Sequence, residues 1–163
     1  MRTIRPVPLT KEAFAPFGQY YTMDKPDGYA LNGAIHKFYP DRITGDAEHR
    51  LGFSPLVVSK PDRMIITQQE YHLNSWEILL PLDDDMIIHV APASAGKPVP
   101  DEVKAFIVPK NTMVKLNTAI WHLAPLPVNN DKVTVMVVLP EATYVTDCIV
   151  VDLNEDEQFE IVK

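Results

Sequence analysis

The sequence is short of basic residues, of cysteine and of long hydrophobic runs, and each shortage excludes a class of protein. Fifteen Lys and Arg residues stand against 22 Asp and Glu residues, for a net charge of −7. This balance argues against a nucleic-acid-binding protein, because that surface requires a basic stripe. It is compatible with a small anionic substrate, since one local cation can reverse the sign of a pocket.

The single cysteine, Cys148, excludes an internal disulfide and a zinc site built from cysteines. Sparse cysteine is typical of the reducing cytoplasm, where we expect the protein to act. No hydrophobic run approaches the ~20 residues that a membrane span requires. The first residues also lack the apolar stretch of a signal peptide, so we expect no membrane partner.

Proline, by contrast, is abundant, with 15 in a chain of 163 residues. Because proline ends helices and is excluded from central strand positions, this content favours many short strands joined by rigid turns. The length matches one domain of ordinary size. We therefore expect residues 1–163 to form a single, mainly β domain.

The hydrophobic pattern supports this expectation from about residue 53 onward, where short apolar runs alternate with turns rich in Pro, Asp and Asn. About eight to ten such strands indicate an all-β barrel or sandwich. The start alone looks helical, with Thr10 as the predicted N-cap and with Pro16 and Gly18 ending the helix. The predicted strands lie near residues 56–58, 64–67, 77–80, 86–90, 105–108, 113–117, 120–123, 133–139 and 148–153.

Five histidines are the first candidates for chemistry. His36 and His49 lie in charged, loop-like surroundings that are typical of the surface. His89 lies within an apolar strand, where a hydrogen-bonded core histidine is the ordinary interpretation. His72 and His122 remain, each in a segment with further polar residues.

The polar residues around His72 have a spacing that suits a cluster. On a strand, Glu70 and His72 project to the same face, because the side-chain period is two. A bend over residues 73–76 would return Glu77 to that face. Two carboxylates and an imidazole can hold a metal or act as an acid–base pair. The alternative is a half-buried strand whose polar residues face solvent.

The spacing Glu70-x-His72-x₄-Glu77 is similar to a weakened form of the first cupin motif, His-x-His-x₃₋₄-Glu. More specifically, the whole chain resembles the ureidoglycolate lyase family of small cupins. The resemblance implies an all-β, cupin-type β-barrel (a double-stranded β-helix or jelly roll) with a short N-terminal helix. The segments that carry it keep their order along the chain: residues 8–18 (PLTKEAFAPFG), Asn32-Gly33, His72 to Pro81, residues 105–107 (AFI), Trp121-His122-x-x-Pro125-Leu126 and Thr146-Asp147-Cys148.

The resemblance also implies an activity, the cleavage of ureidoglycolate to glyoxylate and urea in purine (allantoin) catabolism. The reacting carbon carries a hydroxyl, a ureido nitrogen and a carboxylate, so cleavage requires a base, an acid and a group that binds the carboxylate. His72 or Glu77 would be the base, and His122 would protonate the leaving nitrogen.

The substrate-binding residues implied by the resemblance are Lys115, Asn117 and Glu70. Lys115 and Asn117 share a face of one strand, and Lys115 would hold the substrate carboxylate if that face lines the barrel. The alternative for Lys115 is a solvated side chain. No cofactor is certain, but Glu70, His72 and Glu77 are candidate ligands of a divalent metal that could replace the general acid.

The chain departs from the family pattern at three places. Asn117 replaces a family histidine, Glu77 replaces a glutamine, and residues 83–85 are three aspartates where the family has glycine. The loss of the histidine at Asn117 favours a rival interpretation, a cupin that binds a small acid or sugar without turnover. A third interpretation is another cupin enzyme, such as an isomerase or a metal-dependent oxygenase. Because small cupins commonly pair through edge strands, we also expect a homodimer.

Overall fold

A computed structural model describes residues 1–163 as a mainly β protein. Two α-helices, α1 (Lys11–Phe14) and α2 (Thr143–Thr146), and one 3₁₀ turn (Pro100–Glu102) interrupt the strands. The strands are β1 (Arg2–Ile4), β2 (Val7–Pro8), β3 (Gly18–Thr22), β4 (Leu31–Asn32), β5 (Lys37–Phe38), β6 (Leu51–Ser59), β7 (Ile65–Ile66), β8 (Gln68–Tyr71), β9 (Glu77–Pro81), β10 (Met86–Val90), β11 (Lys104–Val108), β12 (Thr112–Leu116), β13 (Leu126–Pro127), β14 (Lys132–Pro140), β15 (Ile149–Asp152) and β16 (Phe159–Ile161).

The strands form two principal sheets. One has five strands in the order β3-β12-β9-β14-β6, and the other has four in the order β13-β10-β11-β2. Three smaller sheets complete the fold: β1-β16-β7, β15-β8 and β4-β5. Hydrogen bonds do not join the sheets into a closed barrel, so the architecture is a jelly-roll sandwich.

The space between the principal sheets is filled by an apolar core. Leu79 and Val114 reach it from the five-stranded sheet, and Ile88 and Phe106 reach it from the four-stranded sheet. Each is at most 2% exposed. Because successive side chains of a strand alternate between faces, the neighbouring residues of β10 point away from this interior.

A second apolar core lies on that outer face. Ile87 of β10 packs there with Phe159 and Ile161 of β16 and with Ile4 of β1. The terminal strands therefore cover the back of the four-stranded sheet.

This second core contains a fully buried polar pair, Gln69 and His89. The Gln69 side-chain nitrogen lies 2.8 Å from Nδ1 of His89. Burial lowers the pKa of His89 to about 3, so its imidazole is neutral at physiological pH. His89 is thus the hydrogen-bonded core histidine that the apolar strand predicts.

The predicted pattern of elements is confirmed in its main features. The Thr10 hydroxyl accepts a hydrogen bond from the Ala13 N–H at 3.2 Å and caps α1. β10 has the predicted bounds, and the long run at 133–139 is β14 with one more residue at each end. None of the helices is long and apolar enough to cross a bilayer.

The three consecutive aspartates tie together turns at one end of the sandwich. The buried Asp84 carboxylate accepts hydrogen bonds from the backbone N–H groups of Val128, Asn129 and Asn130 at 2.8–3.0 Å. Burial by itself would raise the pKa of Asp84, but these bonds stabilise the carboxylate and lower it. The exposed Asp83 accepts one backbone hydrogen bond, from Thr134 at 2.7 Å.

Substitution Asp84→Asn tests this role. The new NH₂ group faces backbone donors, so buried N–H groups lose their acceptor and the free energy of unfolding falls by about 2–4 kcal/mol. Urea unfolding at pH 7 measures the change. Asp83→Asn is the matched control, with a clearly smaller loss. Equal losses in the two variants would contradict the assignment.

Candidate functional site

The backbone brings Glu70 and His122 together in a short antiparallel bridge. The Glu70 N–H donates to the His122 carbonyl at 2.7 Å, and the His122 N–H donates to the Glu70 carbonyl at 2.8 Å. Trp121 makes the equivalent pair of hydrogen bonds with Ala91. The Trp-His dipeptide therefore joins the end of β10 to β8, and it places His122 beside Glu70.

Glu77 joins these residues from the five-stranded sheet. It is the first residue of β9, and it lies opposite Leu116 of β12. Directly paired residues project to the same face of a sheet, and Leu116 belongs to the interior core. Glu77 therefore points inward, where its side chain is only 9% exposed.

His72 lies one residue beyond β8, and its ring meets that of His122 edge to face, with 5.0 Å between the centroids. Nδ1 of His72 is 2.9 Å from the Asp147 carbonyl oxygen, and Nδ1 of His122 is 2.8 Å from the Ile120 carbonyl oxygen. A carbonyl only accepts hydrogen bonds, so both Nδ1 atoms carry hydrogen. Each Nε2 is thereby left free to take part in the site.

The two Nε2 atoms converge on one carboxylate oxygen. Oε2 of Glu77 lies 2.8 Å from Nε2 of His122 and 3.5 Å from Nε2 of His72. Oε1 of Glu70 lies 3.7 Å from Nε2 of His122. The structure thus brings together Glu70, His72, Glu77 and His122, four of the residues that the sequence singled out.

The charges in this cluster depend on one another. Burial would raise the pKa of Glu77, but the two imidazoles lower it to about 2. Burial would lower the pKa of His122, but the Glu77 carboxylate raises it. The Glu77 carboxylate therefore favours the protonated form of His122.

The same side chains meet the requirements of a cation site. One ligand atom each from Glu70, His72 and His122 lies within 4.8 Å of the others. Two metal–ligand bonds of ~2.1 Å span about 4 Å, so small rotations suffice. Oε2 of Glu77 and Nε2 of His122 are buried without an aligned hydrogen bond, although they lie close together. Oxygen and imidazole donors suit a divalent metal.

Lys115 and Asn117 are not brought into the cluster. Lys115 pairs with Ile78, so it projects from the outer face of the sheet, where its amine donates to the Thr44 carbonyl at 2.6 Å. That amine also lies 5.4 Å from the centre of the Trp76 ring. A role in substrate binding would require the amine to leave Thr44. Asn117 is exposed beyond the end of β12.

Two residues outside the sequence-based candidates contact the cluster, Asp147 and Cys148. The Cys148 thiol donates to Oε2 of Glu70 at 3.3 Å. Burial and the charge of Glu70 raise the pKa of this thiol to about 12, so it remains protonated. The Asp-Cys match to the family is the signal in the sequence that points to these positions.

Glu70 marks the accessible side of the cluster. Its side chain is 23% exposed, against 5% for His122. A separate cavity of about 510 Å³ lies away from the cluster, between α1, β3 and the segment at residues 27–42. Lys11 and Arg42 are among the residues that line it. Among the four side chains of the cluster, Glu70 is therefore the one that a ligand from solvent would meet first.

Known proteins of similar sequence belong to one family. The model of the family described as ureidoglycolate lyase matches residues 1–160. The ureidoglycolate lyase of Mesorhizobium japonicum is 32% identical over 133 residues, which cover 77% of this chain and 80% of that protein. The ureidoglycolate lyase of Pseudomonas paraeruginosa strain PA7 is 27% identical over 127 residues, or 75% of each chain.

Among solved structures, a dTDP sugar isomerase from Desulfovibrio desulfuricans G20 has a similar fold. Its TM-score is 0.54 at 7% sequence identity, over 87% of this chain and 89% of that chain. This likeness supports the jelly-roll fold that the sequence predicts.

Substitution Glu77→Gln, which introduces the family's amide, tests the electrostatics of the cluster. Removal of the carboxylate leaves burial as the main influence on His122, so the pKa of that imidazole falls. Histidine NMR titration of chelator-treated protein measures the shift. Glu70→Gln is the control, and it gives a smaller fall because Glu70 is farther from His122. An unchanged pKa in Glu77→Gln would contradict the ion pair.

Proposed function

The chain belongs to the ureidoglycolate lyase family, and from this premise we propose that it is a carbon–nitrogen lyase that cleaves ureidoglycolate into glyoxylate and urea. The observation that carries the proposal is the convergence of two imidazole Nε2 atoms on the buried Glu77 carboxylate. The activity named for the curated relatives supports it.

The reaction needs two proton transfers at adjacent positions. A base takes the proton of the hydroxyl, the new C=O bond forms, and the C–N bond breaks. The electron pair of that bond goes to the ureido nitrogen, which takes a proton and leaves as urea. An acid and a base on one small pocket therefore account for the whole conversion.

His72 and His122 suit these two roles. Because the Asp147 carbonyl accepts the Nδ1–H of His72, only Nε2 of that ring faces the site, and in the neutral form of the ring this nitrogen can take the hydroxyl proton. His122 is kept protonated by Glu77, and its Nε2–H can be given to the leaving nitrogen. Glu77 then stabilises the positive charge before the transfer, and substrate displaces the direct contact between the two side chains.

The test is a coupled assay for glyoxylate and urea with the parent protein and with His72→Ala and His122→Ala. Loss of a general acid or base lowers turnover by about 10²-fold or more. His49→Ala, at an exposed histidine, is the control and retains activity. Circular dichroism checks that each variant is folded. Full activity in either site variant would contradict the assigned roles.

An inactive parent protein would overturn the lyase proposal. Calorimetry with ureidoglycolate would then detect whether the cluster binds the compound without turnover. Weaker binding in both site variants would support the alternative of a binding protein.

A second candidate includes a divalent cation at the cluster. Glu70, His72 and His122 would hold it, and Glu77 lies within reach as a further oxygen donor. The observation that favours a cation is the excess of negative charge. Glu70 and Glu77 face one protonated histidine, and an anionic substrate adds a further negative charge. No Lys or Arg forms a salt bridge with either carboxylate. When bound, the cation would polarise the hydroxyl of the substrate. Glu77 would then be the carboxylate that accepts the hydroxyl proton.

Metal analysis distinguishes the metal-free mechanism from the metal-dependent one. Protein purified without chelators is expected to carry about one divalent ion per chain, and Glu70→Gln is expected to lower that content because it removes a charged ligand. Asp152→Asn, at an exposed acidic residue of β15, is the matched control and retains the ion. A fully active protein without metal would contradict this version.

The proposal also includes a single domain over residues 1–163 and a homodimer. Limited proteolysis that releases a stable fragment would contradict the first. A light-scattering mass of one chain would contradict the second.

A further inference from the structure

The segment that follows α2 contacts the site at two of its residues. Asp147 and Cys148 come directly after the helix and before β15. Between them they form hydrogen bonds with the bend after His72, with His72 itself and with Glu70. Asp147 reaches His72 through its main-chain carbonyl, and Cys148 reaches Glu70 through its thiol.

The Asp147 carboxylate fixes the bend between β8 and β9. Its two oxygens accept the backbone N–H groups of Leu73 and Asn74, each at 2.9 Å. This bend carries the chain from His72 to Glu77. The carboxylate therefore sets the separation of these two residues without entering the site.

The Asp147 backbone fixes the ring of His72. Its carbonyl accepts the Nδ1–H of His72 at 2.9 Å. The same residue thus holds the bend through its side chain and the imidazole through its main chain. A ring held in this way presents its Nε2 toward Glu77, at 3.5 Å.

Cys148 acts on the other side of the cluster. Its thiol donates to Oε2 of Glu70 at 3.3 Å. That bond occupies one carboxylate oxygen and leaves Oε1 toward Nε2 of His122, at 3.7 Å. Glu70 is the most exposed member of the cluster, so it has the most freedom to turn away if the thiol is lost.

We propose that Asp147 and Cys148 are positioning residues of this site, with Asp147 orienting His72 toward Glu77 and Cys148 holding Glu70 against His122. Residues that orient a catalytic or ligating side chain typically contribute 10–100-fold to activity or metal affinity. The kinetic part of this inference rests on the proposed lyase function.

The kinetic test compares paired substitutions. Cys148→Ala is expected to lower kcat about tenfold with little change in KM, and Cys148→Ser, which retains a donor, is expected to restore most of it. Asp147→Ala and Asp147→Asn are expected to lower kcat by about 10–100-fold. Asp152→Asn is the matched control, because it weakens a hydrogen bond between β15 and β8, from the Gln68 side chain at 2.7 Å, that lies outside the cluster. The kcat of this variant is expected to be unchanged.

The structural test needs no turnover. Nitrogen-15 NMR of the histidines reports which ring nitrogen of His72 carries hydrogen. The parent protein is expected to show one tautomer, with hydrogen on Nδ1. Asp147→Ala keeps the main-chain carbonyl but loses the carboxylate bonds that fix the position of this carbonyl relative to the bend after His72, so it is expected to show a mixture. A single unchanged tautomer in Asp147→Ala would overturn the role of Asp147.

The two failures can be told apart. If the parent protein does not cleave ureidoglycolate, the lyase proposal fails, while the His72 tautomer still decides the role of Asp147. For Cys148, the carboxyl chemical shift of Glu70 is the readout that needs no turnover. It is expected to change in Cys148→Ala and to change less in Cys148→Ser. A Glu70 shift in Cys148→Ala identical to that of the parent protein would overturn the role of Cys148. If Asp147→Ala does not fold, the tautomer is measured in Asp147→Asn.

Discussion

The rest of the site depends on one buried contact, between the Glu77 carboxylate and the two imidazoles of His72 and His122. A buried charge is costly unless it is paired, and Glu77 is only 7% exposed. Protonated His122 supplies the opposite charge, which is why the pKa of the carboxyl falls and that of the imidazole rises. The carbonyls of Asp147 and Ile120 then leave each ring only one nitrogen with which to reach Glu77.

The jelly roll brings these groups together from distant parts of the chain. Glu77 begins a strand of the five-stranded sheet, whereas His122 joins the end of β10 to β8. The same principle of satisfied buried polarity recurs elsewhere. The buried Asp84 carboxylate accepts hydrogen bonds from backbone N–H groups at a turn. Gln69 forms a hydrogen bond with His89 behind the four-stranded sheet. In each case, a polar side chain makes up for its burial with specific hydrogen bonds.

Much of this arrangement could be predicted from the sequence, because it follows from local pattern. Proline-bounded apolar runs predicted the strands, and the two-residue spacing predicted that Glu70 and His72 share a face. Lys115 is a case in which the local pattern does not decide the direction of a side chain. Alternation places it opposite Leu116, but only the packing of the whole sheet decides that Leu116 faces the interior. The contacts of Asp147 and Cys148 depend on a segment more than 70 residues away from the bend, which no local pattern reveals.

The proposed lyase function requires ureidoglycolate to bind among the histidines, past Glu70. A crystal structure with N-carbamoylglycine tests it most directly, because this analogue lacks the hydroxyl that elimination requires and stays intact. Its ureido nitrogen is expected to contact His122, and the carbon that carries the hydroxyl in the substrate is expected to lie near Nε2 of His72. Binding only in the separate cavity beside Lys11 and Arg42 would contradict it.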